Sequence, residues 1–204
     1  MKSINIKSRP AYILLSIAFV YISCNSDYHP ELKKRGYFRI AFPERKYQLF
    51  DKPGYPYSFE YPSYGNITKD STFFGEKPEN EWWLNVNLPL FAGRIYISYK
   101  EIGNKNKYDS LVNDAYKMSY KQHTYKASAR EELPFISANN ISGVFFTLSG
   151  NTATANQFFL SDSTKHFLRG ALYFYATPNE DSLGIVNDYV KKDLEHLINT
   201  LQWK

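Results

Sequence analysis

The lone cysteine, Cys24, closes an apolar run and so limits what the rest of the chain has to fold with. Lys2, Lys7 and Arg9 form a positive leader, and the thirteen residues from Ala11 to Ser23 carry no charge. That is the length of a secretory hydrophobic region, too short to cross a ~30 Å hydrocarbon core comfortably as a helix. Ser23 puts a small residue just before Cys24, as at the end of a bacterial lipoprotein signal, although Tyr21 stands where leucine is usual. In such signals the cysteine becomes residue one and carries acyl chains, palmitate among them. Residues 1–23 therefore read as a signal peptide and Cys24 as the lipidation site. Residues 24–36 read as lipidated cysteine and tether, and residues 37–204 as a single domain. With its thiol acylated, that domain has no disulfide and must be held by its core alone.

Removing the leader takes away three positive charges and lowers the formal charge from +5 to +2. Neither that balance nor any basic cluster interleaved with aromatics points to nucleic acid. Prolines at 30, 43, 53, 56 and 62 break helices, so residues 37–54 read as an extended segment wrapping the domain and 55–62 as a first strand. Across 82–88 the side chains alternate, with Trp82, Leu84, Val86 and Leu88 on one face and Trp83, Asn85 and Asn87 on the other. Gly93 then starts the returning strand of a hairpin. Residues 107–126 change to helical spacing, with Leu111, Val112, Ala115, Met118 and Ser119 in one stripe. Four β-rich runs follow, separated by "NN", "GNT" and "DSTK", and read as an antiparallel meander.

The chain closes on Leu183, Val186, Val190, Leu194, Leu197 and Leu201, an apolar helical face, which predicts a docked helix over 182–201 capped by Asp181. The fold class is α+β: an antiparallel β-sheet with a mid-chain helix and a C-terminal amphipathic helix packed on it.

Little in the sequence suggests chemistry. The histidines at 29, 123, 166 and 196 share no metal-ligand spacing, and no cofactor motif is present. "SDSTKH" (161–166) gathers Ser, Asp and His, but it fits a hairpin turn better than a triad. Glu131 and Glu132 are neighbours that a strand would point to opposite faces. No catalytic residue, metal, cofactor or small-molecule substrate is expected, and the chain reads as a non-enzyme.

Aromatics are plentiful, with 18 Tyr, 15 Phe and 3 Trp. Either they half-bury on the sheet, or residues 53–65 with Phe73, Phe74, Trp82 and Trp83 form an exposed patch for a partner. On the second reading Tyr55, Tyr57, Tyr61, Tyr64, Trp82 and Trp83 are the partner surface. Ser71, Ser110, Ser163 and Ser182 each follow an aspartate in a triplet resembling a short O-glycosylation acceptor, a pattern that equally suits helix caps and turns.

"RGYFRIAFPERKYQLFD" (35–51), "YPYSFEYPSYGNI" (55–67), "WLNVNLPLFAGRIYISYK" (83–100) and the stretch 158–203, with "STKHFLRGALYFYATPN" within it, closely resemble the gliding-motility lipoprotein family GldD of the Bacteroidetes. The resemblance runs from about residue 36 to 203. It implies an accessory of the gliding apparatus whose loss stops movement. It also implies a link to type IX secretion of surface adhesins, with other gliding and secretion components as partners. The family supplies no catalytic residues, and its fold looks distantly similar to the Mog1/PsbP-like group. The expected location is the cell envelope, lipid-anchored and facing the periplasm, with the outer membrane favoured over the inner. Two readings of other classes remain: a glycan- or peptidoglycan-binding envelope lipoprotein, marked by exposed aromatics, and a periplasmic hydrolase, marked by a nucleophile and base sharing a cleft.

Overall fold

In the computed structural model, residues 39–71, 77–120 and 126–204 are described. The signal peptide, Cys24, the tether, His29, Phe73, Phe74 and His123 lie outside them. The residues Arg39–Lys204 form one compact unit.

Among the described residues, ten strands and two α-helices make up this α+β unit. The strands are β1 (Tyr47–Phe50), β2 (Tyr57–Pro62), β3 (Asn66–Lys69), β4 (Leu84–Leu88), β5 (Gly93–Glu101), β6 (Ala127–Ile136), β7 (Ser142–Gly150), β8 (Asn156–Ser161), β9 (His166–Phe174) and β10 (Gln202–Trp203). Helix α1 spans Tyr108–Tyr120, and α2 spans Glu180–Thr200. A single turn of 3-10 helix (Pro89–Phe91) joins β4 to β5. Seven strands form one antiparallel sheet in the order β3-β4-β5-β9-β8-β7-β6, and β1-β2-β10 form a second.

The two faces of the large sheet carry different cores. On one face, Leu84, Val86, Leu88, Ile95, Ile97, Tyr99, Leu168 and Leu172 meet Phe50, Tyr57 and Phe59 of the small sheet and Val190, Leu194 and Leu197 of α2. Alternation along β5 drives this, because Ile95, Ile97 and Tyr99 point into the core while Arg94, Tyr96 and Ser98 point the other way. The opposite face is covered by α1, whose Leu111 and Ala115 pack on Val144, Phe146, Phe159 and Phe167. Gly170 is fixed by close packing: an added Cβ would lie 2.3 Å from the Phe158 ring.

The meander β6 to β9 and the β4–β5 hairpin follow the expected pattern, but β1 forms inside the segment expected to be extended, so the strand expected first is β2, and both helices depart in detail. Helix α2 begins two residues early, and its N-cap is Asn179, whose side chain accepts from the Ser182 amide, in place of Asp181. Asp181 lies in the first turn, where its charge suits the helix dipole. On α1 the apolar stripe is narrower than its spacing suggests, since Met118 is exposed and Leu111, Ala115 and Ser119 are the buried positions.

Candidate functional site

The Ser-Asp-His stretch after β8 is a turn, built by its own hydrogen bonds. The Asp162 carboxylate accepts from the amides of Thr164 (3.0 Å), Lys165 (2.8 Å) and His166 (2.8 Å). Those amides hold its pKa below the ordinary value even though partial burial opposes them. Ser163 takes φ +64°, a left-handed turn conformation. His166 is buried, with Nδ1 2.6 Å from the Tyr99 hydroxyl and its ring stacked on Trp203 at 4.9 Å. Burial pushes the His166 pKa down, towards the neutral imidazole. The Ser161 hydroxyl donates to the His166 carbonyl at 2.7 Å. The Ser161 hydroxyl and the Asp162 carboxylate close the hairpin, while the His166 ring is held by Tyr99 and Trp203.

A second polar cluster pins the start of the domain to α2. Asp193 is fully buried on that helix and accepts from the hydroxyls of Tyr47 (2.9 Å) and Tyr64. Arg45 Nε faces it at 3.4 Å, while the guanidinium lies 4.0 Å from the Tyr189 ring centroid and donates to the Tyr189 carbonyl at 2.8 Å. Burial first, and then the bond to Asp193, push the Tyr47 hydroxyl up to about 12. Tyr64 moves the same way for the same reasons. Beside them, His196 Nε2 meets Glu60 at 2.6 Å and its ring stacks on Tyr47 at 3.5 Å. These groups hold elements together. Among the described residues, no three His, Cys, Asp or Glu side chains gather as a metal site.

The six aromatics expected to form a partner surface are placed differently from one another. Tyr57 is fully buried, and Tyr55 and Trp83 are nearly so. Tyr61, Tyr64 and Trp82 are half-buried against the same core. Their polar ends stitch loops together: Trp83 Nε1 donates to the Tyr99 carbonyl at 2.7 Å, Trp82 Nε1 to Gly54 at 2.8 Å, and the Tyr57 hydroxyl to Trp82. The exposed patch over 53–65 is therefore corrected. Tyrosine is amphipathic, so a ring can fill a core while its hydroxyl finds a carbonyl. Of the four candidate serines, Ser71, Ser110 and Ser163 are exposed. Ser182 is half-buried, and its hydroxyl donates to the Asn179 carbonyl at 3.4 Å.

A polar cleft of about 120 Å³ separates the first turns of α2 from the β7–β8 connection, lined by Thr152, Asn156, Leu183, Gly184, Asn187 and Lys191. Its lining also holds the Glu180 and Asp188 carboxylates and the Lys191 ammonium, which donates to the Thr147 hydroxyl at 3.4 Å.

Apolar exposure concentrates at one end of the domain, where the β4–β5 turn, the end of β9, the first turns of α2 and the entering chain converge. Phe42 stacks on Tyr189 at 4.5 Å, and Phe91 contacts both, at 5.8 and 5.5 Å. The Tyr175 amide donates to the Ala92 carbonyl at 2.8 Å, closing β9 onto the turn. The segments that converge here also carry Ile40 (40 % exposed), Leu90 (57 %), Tyr175 (62 %) and Ile185 (56 %), with the Tyr175 ring 5.4 Å from the Arg94 guanidinium. Sequence reasoning missed this group because its members are scattered singly over four segments. Among the described residues, no helix is long and apolar enough to cross a membrane.

Comparison with known proteins adds three findings. The family model described as gliding motility lipoprotein GldD matches residues 25–203. No curated protein matches. Among solved structures, the chain is similar to the solution structure of cyanobacterial PsbP from Synechocystis sp. PCC 6803, at 11% identity and a TM-score of 0.48, covering 85% of this chain and 99% of that one.

Proposed function

The chain belongs to the gliding motility lipoprotein GldD family, and on that premise we propose that it is a non-catalytic accessory of the gliding machinery, anchored through acylated Cys24. On this reading it holds components of the apparatus together and is linked to type IX secretion of surface adhesins. The observation that carries the reading is the extent of the family match, which begins one residue after Cys24 and runs to Trp203. The engagement of Asp162, His166, Asp193 and His196 in structural bonds supports a binding role over turnover. We place the protein in the periplasmic leaflet of the outer membrane. The exposed Ser71, Ser110 and Ser163 remain the candidates for O-linked glycan, which an intact mass would reveal as a sugar increment.

A deletion strain complemented with wild type, Cys24→Ala, His166→Phe or His196→Gln tests the proposal. Deletion should abolish both gliding and adhesin secretion, and wild type should restore them. Cys24→Ala should leave a folded protein outside the membrane fraction and fail to restore movement. The histidine variants should restore movement whenever they accumulate normally. A deletion strain that glides and secretes as before would overturn the proposal. So would a well-folded histidine variant that is silent.

A further inference from the structure

We infer that the domain rests end-on against the bilayer that holds its own anchor, with Leu90, Ile185, Tyr175 and Ile40 seated among the lipid headgroups. The inference rests on the anchor at Cys24 proposed above. Among the described residues, eight large apolar side chains are exposed, and four of them belong to the segments that meet at this end: Leu90 beside Phe91, Ile40 two residues before Phe42, Ile185 one helical turn before Tyr189, and Tyr175 just past β9, where its amide donates to the Ala92 carbonyl. Exposed apolar side chains gathered at one place mark a contact surface, whereas scattered ones are ordinary.

The occupant follows from where the chain enters. Arg39 opens the compact unit, one residue before Ile40, and fourteen residues separate it from Cys24. Fully extended, that length spans at most about 50 Å. A unit of this size is roughly 40 Å across. So short a leash keeps the entry end nearer to the bilayer than the far end, where Asn139 Nδ2 meets the Leu201 carbonyl at 2.7 Å. Tethering also supplies a millimolar-scale effective concentration, so a weak apolar insertion is enough to orient the domain. The side-chain types suit an interface: Leu and Ile insert, while Tyr175 has an apolar ring and a polar tip.

Charge around the end is mixed: Arg45 lies 4.0 Å from the Tyr189 ring centroid and Arg94 5.4 Å from that of Tyr175, while α2 carries Glu180, Asp181 and Asp188. Apolar insertion, and not attraction to anionic lipid, is therefore what this surface offers.

The test uses full-length acylated protein reconstituted in phosphatidylcholine vesicles containing nitroxide-labelled lipid. With Cys24 acylated, a cysteine introduced by Leu90→Cys, Ile185→Cys or, as the far-end control, Ile136→Cys is the only reactive thiol. Each is labelled with a small fluorophore. Fluorescence at 90 and 185 should be quenched several-fold more than at 136, and the difference should persist at high salt. An intact mass taken on the same samples reports acylation independently. Acylated, vesicle-bound protein with equal quenching at all three positions overturns the inference and leaves the anchor standing. Protein without acyl chains that stays off the vesicles overturns both. A label at 90 that lipid does not quench, yet that is shielded in cells, assigns the end to a protein partner and also overturns the inference.

Discussion

Asp193 is a carboxylate buried on a helix, and it is kept there by what reaches it from a distant part of the chain. Two tyrosine hydroxyls and one guanidinium satisfy it, all from residues 45–64. Asp193→Ala would leave Arg45 and both hydroxyls without their acceptor, and should cost about 3–5 kcal/mol in urea unfolding. Tyr64→Phe removes one bond to a charged group and should cost about 1.5–3 kcal/mol. If both variants melt like wild type, the cluster is not holding the fold. Glu79 gives a residue-scale test against pH. Its Asn106 hydrogen bond, opposed by some burial and reinforced by Lys105 and Lys100, lowers its pKa from 4.5 to about 2. The folded value lies below the unfolded one, so the stabilisation is complete above pH 4.5 and is lost as pH falls towards 2. Glu79→Gln should flatten that limb of the melting temperature against pH. The difference should shrink in high salt, because the group is solvated.

Helix α2 was legible from sequence because its apolar residues repeat at three and four along one face, and burial of Val186, Val190, Leu194 and Leu197 follows that spacing. Leu194→Asp should cost several kcal/mol, since a charge would enter the core unpaired, while Lys192→Ala, on the exposed side, should be nearly neutral in the same denaturation assay. The paired strands β4 and β5 were legible from alternation, and the meander from β-rich runs set between short turn sequences. Strands β3 and β10 were not. Asn66–Lys69 is short and polar, and Gln202–Trp203 has only two residues, so neither carries a period, and each exists because a neighbouring strand offers a free edge. The cap failed for a local reason: Asn179 and Asp181 are both good capping residues, and only the backbone extended at Asn179 decides between them. The aromatic surface failed for a tertiary one. Nothing in "YPYSFEYP" says that β1 and β10 will cover both edges of that strand and seal Tyr57 inside. Gly170 was likewise silent in sequence, and Gly170→Ala should destabilise by about 1–3 kcal/mol through collision with Phe158.

At the scale of the whole molecule, the stretch from Phe42 to Phe50 joins the entering chain to everything else. It does so through the Phe42–Tyr189 stack, the Tyr189 hydroxyl donating to the Pro43 carbonyl at 2.7 Å, the Arg45 and Tyr47 contacts to Asp193, and the β1–β2 ladder. A chain starting at Tyr47 should therefore melt about 5–10 °C below one starting at Arg39, because it lacks the Phe42 stack, the Pro43 carbonyl and the Arg45 contact while keeping Tyr47 on Asp193. Equal melting points would mean that the strap only lies on the surface. If the chain is anchored at Cys24 and bound to moving parts, as proposed, it would come under tension whenever those parts advance. A pull on residue 39 reaches the ring stack first, then the guanidinium and hydroxyl on Asp193, and only then the hydrogen bonds between Tyr47 and Pro62 and onward to Phe50 and Phe59. Attachments met one after another yield one after another, so the domain would give way in small steps and re-dock when the force relaxes. Under such a load the strap would behave as a fuse, absorbing a jolt before it reaches the seven-stranded sheet.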